Sequence, residues 1–218
     1  MKTIVGAGAV SLVLAVSGTA SAGIITEATS GFAITGGTNS SDIYLDPAVY
    51  GELDNLQVQV GLNTLSHTWL GDLIVTLTHV ESGTTASLFG TVGGGAFGSP
   101  AQLNGFYTFN DGVYNSGNPA QGNLWQAASD AGFGGTVASG FFYATNNLSS
   151  AYASLNAAFA GVTSAGTWRL TIIDTYASLD DGVLGKWTIS LTGTEVPAPG
   201  ALALLGLAGL AGSRRRRG

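Results

Sequence analysis

In both halves of this chain apolar side chains recur at every second position, and that spacing constrains the fold more than any other feature. Leu56, Val58, Val60 and Leu62 alternate with Gln57, Gln59 and Gly61, and Leu73, Val75 and Leu77 alternate with Ile74, Thr76 and Thr78. Far along the chain, Trp168, Leu170 and Ile172 oppose Arg169, Thr171 and Ile173, and Trp187, Ile189 and Leu191 repeat the phase. A period of two is that of a strand with one face on a core, because successive side chains leave a pleated backbone on opposite sides. Ser82-Gly83 between the second run and Thr84–Phe89 predicts a hairpin. Since the best strands come from distant segments, an all-β antiparallel sandwich is expected, with Trp168 and Trp187 in its core.

A length of 218 residues suits one sizeable domain. The 34 glycines and only 9 % charged residues fit short strands joined by many turns, and without cysteine no disulfide holds them. From Gly93 to Thr136, Gly93-Gly94-Gly95, Asn104-Gly105, Asp111-Gly112 and Gly134-Gly135 interrupt the pattern, so long loops with short strands are expected. Leu148, Tyr152, Leu155 and Phe159 are spaced for a short amphipathic helix. Asp181-Gly182 suits a turn that needs positive φ.

All thirteen acidic residues fall between Glu27 and Glu195, where Arg169 and Lys186 are the only Lys or Arg, a balance of 2 − 13 = −11. Such a surface repels phosphate backbones, which argues against nucleic-acid binding.

The two ends read as addresses flanking a body over 23–195. Residues 1–22 have the form of a secretory signal peptide and its helix: Lys2, an apolar run from Ile4 to Val16, and the cleavage pattern Ala20-Ser21-Ala22. Sec-type export and signal peptidase are the expected partners. Residues 196–218 comprise Val196-Pro197-Ala198-Pro199, an apolar stretch expected to be helical, and Arg214, Arg215, Arg216 and Arg217. Proline keeps the approach extended, and the arginine block resists translocation. This tail resembles the PEP-CTERM sorting signal, departing from it at Ala198, where that family usually has Glu. The resemblance implies an exosortase-type membrane peptidase as partner, brief retention at the inner membrane, and delivery to the cell surface or extracellular matrix.

Two blocks of the body resemble the P domain, or Homo B domain, of proprotein convertases and bacterial subtilisin-like proteases. One is His67-Thr68-Trp69-Leu70-Gly71-Asp72-Leu73 with Ile74–Leu77 and Ser82-Gly83-Thr84. The other runs from Gly166 to Asp174 and from Asp181 to Leu191. The resemblance implies a jelly-roll β-sandwich that stabilises or assists a catalytic neighbour. The Gly-rich stretch from Gly93 to Phe142 is longer than that family's pattern. No nucleophile segment of the subtilisin type is visible, so the chain is expected not to be an enzyme.

Candidate chemistry is sparse. His67 and Asp72 lie five residues apart, but no serine is marked as an activated nucleophile, and local bonding of His67 is the simpler reading. His79 reads as a surface or strand-end residue. Asp72, Asp174, Asp180 and Asp181 are candidate ligands of a structural Ca²⁺, with Asp111 more remote, or else solvated turn formers. Trp69, Tyr107, Tyr114 and Trp125, with Phe106, Phe141, Phe142 and Tyr143, lie in or near expected loops. They are candidate stacking groups for a sugar or ordinary packing residues. Three functions are therefore weighed: a non-catalytic surface or matrix interaction module, a carbohydrate-binding module for exopolysaccharide, and an accessory to a separate secreted protease. The terminal readings are checked by mass spectrometry of the native protein. The expected amino terminus is Gly23, and a tail shortened ahead of Arg214 is expected if the sorting peptidase acts.

Overall fold

The computed structural model describes residues 21–113, 122–176 and 179–197, and the structural statements below concern these. The strands are β1 (Ala22–Ser30), β2 (Ala33–Ile34), β3 (Gly37–Leu45), β4 (Leu53–His67), β5 (Leu73–His79) and β6 (Thr84–Gly90). They continue with β7 (Gln102–Asn110), β8 (Thr136–Val137), β9 (Gly140–Phe142), β10 (Gly166–Asp174) and β11 (Gly182–Glu195). Three short helices accompany them: α1 (Pro47–Tyr50), α2 (Leu124–Ala131) and α3 (Leu155–Ala158).

Two sheets face each other. The first has the order β1-β11-β4-β7, with β2 on β11 and the short β8 and β9 running parallel to β7; the second has the order β3-β10-β5-β6. Numbered along the chain, the eight long strands form one sheet as first-eighth-third-sixth and the other as second-seventh-fourth-fifth, the arrangement of a jelly roll. The long pairings are antiparallel. The expected all-β sandwich and the β5–β6 hairpin are present.

Burial follows the period-two pattern because each strand has one face against the other sheet. Leu56, Val58, Val60 and Leu62 are buried, as are Leu73, Val75 and Leu77, then Trp168, Leu170 and Ile172, then Trp187, Ile189 and Leu191. Both tryptophans satisfy their indole N–H while buried. Trp168 donates to the Ser164 carbonyl, and Trp187 of the first sheet donates to Ser41 Oγ of the second. Phe89 of β6 and Phe109 of β7 stack across the interlayer, with centroids 5.5 Å apart.

Several expectations are corrected. The Gly-rich middle contains a full nine-residue strand, β7, whose alternating burial places Leu103, Gly105, Tyr107 and Phe109 inward, and Asn104-Gly105 lies within it. It also contains the two-turn helix α2, capped by the Asn123 side chain on Trp125 N–H. The amphipathic helix expected from Leu148 to Phe159 shrinks to the single turn α3. Ser154 caps it, while Leu148 is exposed at φ 58° outside any helix. Gly182 is not at a positive-φ turn. It pairs with His67 and Ile34 inside β11, where a Cβ would run into the Ser66 carbonyl, so close backbone approach explains the glycine. His79 ends β5, as one of its two readings had it, but is buried rather than at the surface, its ring tilted against that of Trp168 at 4.9 Å.

The expected signal helix and apolar tail helix lie outside the described residues, as do Ala20, Ala198, Pro199 and Arg214–Arg217. Ala22 opens β1 opposite Thr194, and Val196 N–H donates to the Glu52 carbonyl. Among the described residues no helix is long and apolar enough to cross a membrane.

The connections from β4 to β5, from β6 to β7 and from β10 to β11 each carry the chain from one sheet to the other, and hydrogen bonds tie them together. Leu70 N–H donates to the Ala101 carbonyl, Gly71 N–H to Ser99, and Thr175 N–H to Asp72. That convergence makes the site described below. The core is the element most sensitive to substitution. Trp168→Ala is expected to lower stability by about 3–5 kcal/mol, as large-to-small changes of buried aromatics do. Thr171→Ala, on the opposite face of β10, is expected to stay within about 0.5 kcal/mol; denaturant unfolding of both variants checks the contrast.

Candidate functional site

Where the three crossings meet, the chain places aromatic rings over a set of carboxylates. The β4–β5 crossing leaves His67 at the strand end and then forms a single 3-10 turn over Leu70–Asp72. Gly71 in that turn packs directly on the β6–β7 crossing: a Cβ there would lie 2.5 Å from Ser99 N and 2.6 Å from Gly98 Cα. This close approach pins Trp69 beside Phe97, to whose carbonyl its indole N–H donates. Phe133, on the loop after α2, meets Trp69 edge to face at 6.0 Å.

Two clefts flank this group. A larger one of about 290 Å³ is lined by Trp125, Phe133, Pro100, Ser129 and neighbouring glycines. A smaller one of about 190 Å³ is lined by Trp69, Asp72, Phe97, Tyr176, Leu179 and Asp180. Phe97 and Phe133 are 69 % and 85 % exposed, and Trp69, which lines the smaller cleft and meets Phe133 of the larger, joins the two.

Of the stacking residues read from the sequence, Trp69 and Trp125 come to this end of the sandwich. Tyr107 is corrected: it is buried in the core, where its hydroxyl donates to the Val137 carbonyl, so it offers no ring to a ligand. Tyr114 lies outside the described residues. Phe142 is also core, packed with Tyr107 and Phe109, whereas Phe106 and Phe141 are exposed. Phe97, Phe133, Tyr176 and Leu179 also come to this end, and no motif in the sequence marks them. Their only signal there was an apolar residue among glycines or turn formers.

Of the acidic residues, Asp72, Asp174 and Asp180 come within electrostatic range of one another. Asp180 accepts a 2.6 Å hydrogen bond from Thr68 Oγ1, and Asp174 accepts from Tyr176 N–H through Oδ1. The other Asp174 oxygen is buried without a hydrogen-bond partner, 3.6 Å from the equally unpartnered Nε2 of His67. Nδ1 of that ring meets the Trp69 backbone locally, as expected. Asp181 is exposed at the start of β11, and Asp111 is committed elsewhere, accepting from Ser154 Oγ and from the N–H groups of Leu155 and Asn156. Among the described residues no group of three or more His, Asp or Glu is arranged to hold a metal ion.

Asp72 is the electrostatic centre of the site. Burial, reinforced by Asp174 and Asp180 and partly offset by His67, pushes its carboxyl from the ordinary 3.8 up to about 6. Neither histidine serves an open nucleophile here. His79 Nδ1 lies 2.9 Å from Ser82 Oγ, but Ser82 also accepts from Thr84 N–H, and His79 Nε2 donates to the Ala165 carbonyl. These bonds close the β5–β6 turn.

No known protein family matches the chain, and no curated protein matches it. Among solved structures it is similar to the serine protease of Aeromonas sobria, with 16% identity over 79% of this chain and 27% of that one and a TM-score of 0.42. It is likewise similar to the Aeromonas sobria serine protease in complex with the chaperone ORF2, with 14% identity over 81% of this chain and 28% of that one and a TM-score of 0.41. The chain thus spans well under a third of the length of the chains it matches. At these values neither likeness bears on what the chain does.

The state of Asp72 has a measurable consequence. Its folded-state pKa is above the unfolded one, so the native protein binds the extra proton between about pH 4 and 6 and loses stability as pH rises through that window. The stability contributed by that proton is present below the window and lost above it. Asp72→Asn is therefore expected to raise the unfolding temperature at pH 7.5 by several degrees and to change it little at pH 4.5. Thermal scans at the two values check the sign.

Proposed function

We propose that this chain is a non-catalytic, exported interaction module, a P-domain-like sandwich that is sorted to the cell surface or matrix and makes contact there through its aromatic end. The observation that carries this reading is the continuous surface of Trp69, Phe97, Phe133 and Trp125 over two clefts. Trp69 and Phe97 ride on two of the sheet-to-sheet crossings, while Trp125 and Phe133 belong to α2 and the loop after it, which Gly134 N–H ties to the Pro100 carbonyl of the β6–β7 crossing. Rings on a pinned scaffold bind with little further loss of side-chain freedom, which is what a contact surface needs. No step of bond-making chemistry is assigned to the chain. Its histidines are engaged in holding turns and strand ends, and among the described residues the two clefts at the aromatic end are lined by no serine–histidine pair.

A carbohydrate is the second reading, favoured by the Trp125 cleft. Its volume of about 290 Å³ approaches the lower bound of roughly 300 Å³ for small-molecule sites, and an indole wall with Ser129 at its edge suits a sugar ring.

The test compares retention of the protein in the washed cell-surface and matrix fraction of the producing bacterium. Phe97→Ser with Phe133→Ser removes two exposed rings and is expected to leave the unfolding temperature within about 1–2 °C while lowering retention at least fivefold. Undiminished retention of this folded variant would show that contact lies elsewhere. Depletion by insoluble polysaccharide that fails on Trp125→Ala alone identifies the carbohydrate reading.

A further inference from the structure

The smaller cleft, beside Trp69, has a composition that the larger one lacks. It is lined by the aromatic or apolar residues Trp69, Phe97, Tyr176 and Leu179 and by the acidic residues Asp72 and Asp180. Among the described residues no Lys or Arg lines it. Asp72 is only 8 % exposed, yet no hydrogen bond among the described residues reaches its carboxylate, although it borders the cleft. A buried carboxylate without donors is an unfavourable group until something positive reaches it. Behind it lie Asp174, with one oxygen unpartnered, and His67.

From these walls and this floor we infer that the cleft is a receptor for one lysine side chain of a protein partner. At about 190 Å³ the space is below the range of roughly 300–1,000 Å³ usual for whole small-molecule ligands, so it takes a single protruding group. Apolar walls suit the four-carbon stem of lysine, which buries its methylenes while its head seeks polar surroundings. The ammonium carries three donors, which can be divided between carboxylates on different segments, and ring faces attract it further. Arginine fits less well, because its flat fork matches the two oxygens of one carboxylate. A hard metal ion would ask for about six to eight oxygens, and the walls are carbon. An amino sugar carries its nitrogen directly on the ring, without the stem that these walls would cover. The net charge of −11 over residues 27–195 draws basic partners towards the whole body.

This inference rests on the reading of the aromatic end as a contact surface and adds the chemistry of what it contacts. The probes are the peptide acetyl-Gly-Gly-Lys-Gly-Gly-amide and its Nε-acetyl counterpart, titrated into the purified protein at low salt and followed by indole fluorescence. The lysine peptide is expected to saturate, with at least tenfold weaker response for the Nε-acetyl peptide. Asp72→Asn and Trp69→Ala are expected to lose the response, while Glu52→Gln, which removes a charge outside the cleft, keeps it. Asp72→Asn is the decisive variant, because its folding is expected to be firmer at neutral pH, so lost binding is not lost structure. Equal response to both peptides, full response in Asp72→Asn, a stronger response to a glucosamine oligomer, or a response to calcium chloride in place of the peptide would each overturn the lysine assignment. Matrix retention measured on Asp72→Asn separates the two readings. Retention that persists without any lysine response overturns the cleft and leaves the aromatic surface standing. Retention insensitive to the loss of Phe97 and Phe133 overturns the surface itself.

Discussion

Both sheets are completed by the last strands of the body. β11 lies between β1 and β4, and β10 lies between β3 and β5, so the first two long strands reach their sheets only through the final two. Thr29 pairs with Trp187, and Ile43 with Trp168, each across more than a hundred residues. Closing such distances must precede the reward of burial, which places this fold among slow-forming, highly cooperative topologies. Trp168 and Trp187 are central to that closure. Each is fully buried, each is in the phase that faces the other sheet, and each has its indole N–H satisfied, Trp168 by the carbonyl of Ser164 just before its strand and Trp187 by Ser41 Oγ of the opposite sheet.

The same closure produces the aromatic end. Three loops that change sheets are brought side by side, and two glycines allow their backbones to touch, since a Cβ on Gly71 would run into Gly98 and a Cβ on Gly98 would run into Gly71. The loops are short of polar partners there. What they expose is aromatic, and what they enclose is carboxylate. Burial raises the energy of the charged Asp72, neighbouring carboxylates raise it more, and His67 recovers only part. A protein interior tolerates that arrangement when a ligand or partner restores the balance, which is why an unsatisfied acidic floor under aromatic walls reads as a binding feature.

Electrostatics elsewhere on the sandwich is conventional by comparison. Arg169 on the outer face of β10 makes a two-bonded contact with Asp42 on β3, which holds the carboxyl of Asp42 below its ordinary value; both groups are exposed, so the pair contributes little to stability. Glu81 accepts two bonds from Thr167 near the hairpin turn, and these outweigh its desolvation and lower its pKa. These groups organise strand ends.

What the sequence by itself determined is which faces are buried. Alternation at Leu56–Leu62, Leu73–Leu77, Trp168–Ile172 and Trp187–Leu191 requires a half-buried pleat, and any fold that satisfied it had to be a layered sheet. It was weaker where glycine masks the period, so β7 and α2 were hidden: Gly105 sits on the inward face of β7 with no side chain to mark it, and α2 is too short for its pattern to stand out. Tyr107 read as a loop aromatic for the same reason. Only the tertiary structure decided that Trp69, Phe97, Phe133 and Asp72 are neighbours, and that Tyr107 and Asp111 are not. Strand phase is a property of adjacent residues and is written locally, whereas the meeting of three loops depends on where two sheets finally close upon each other.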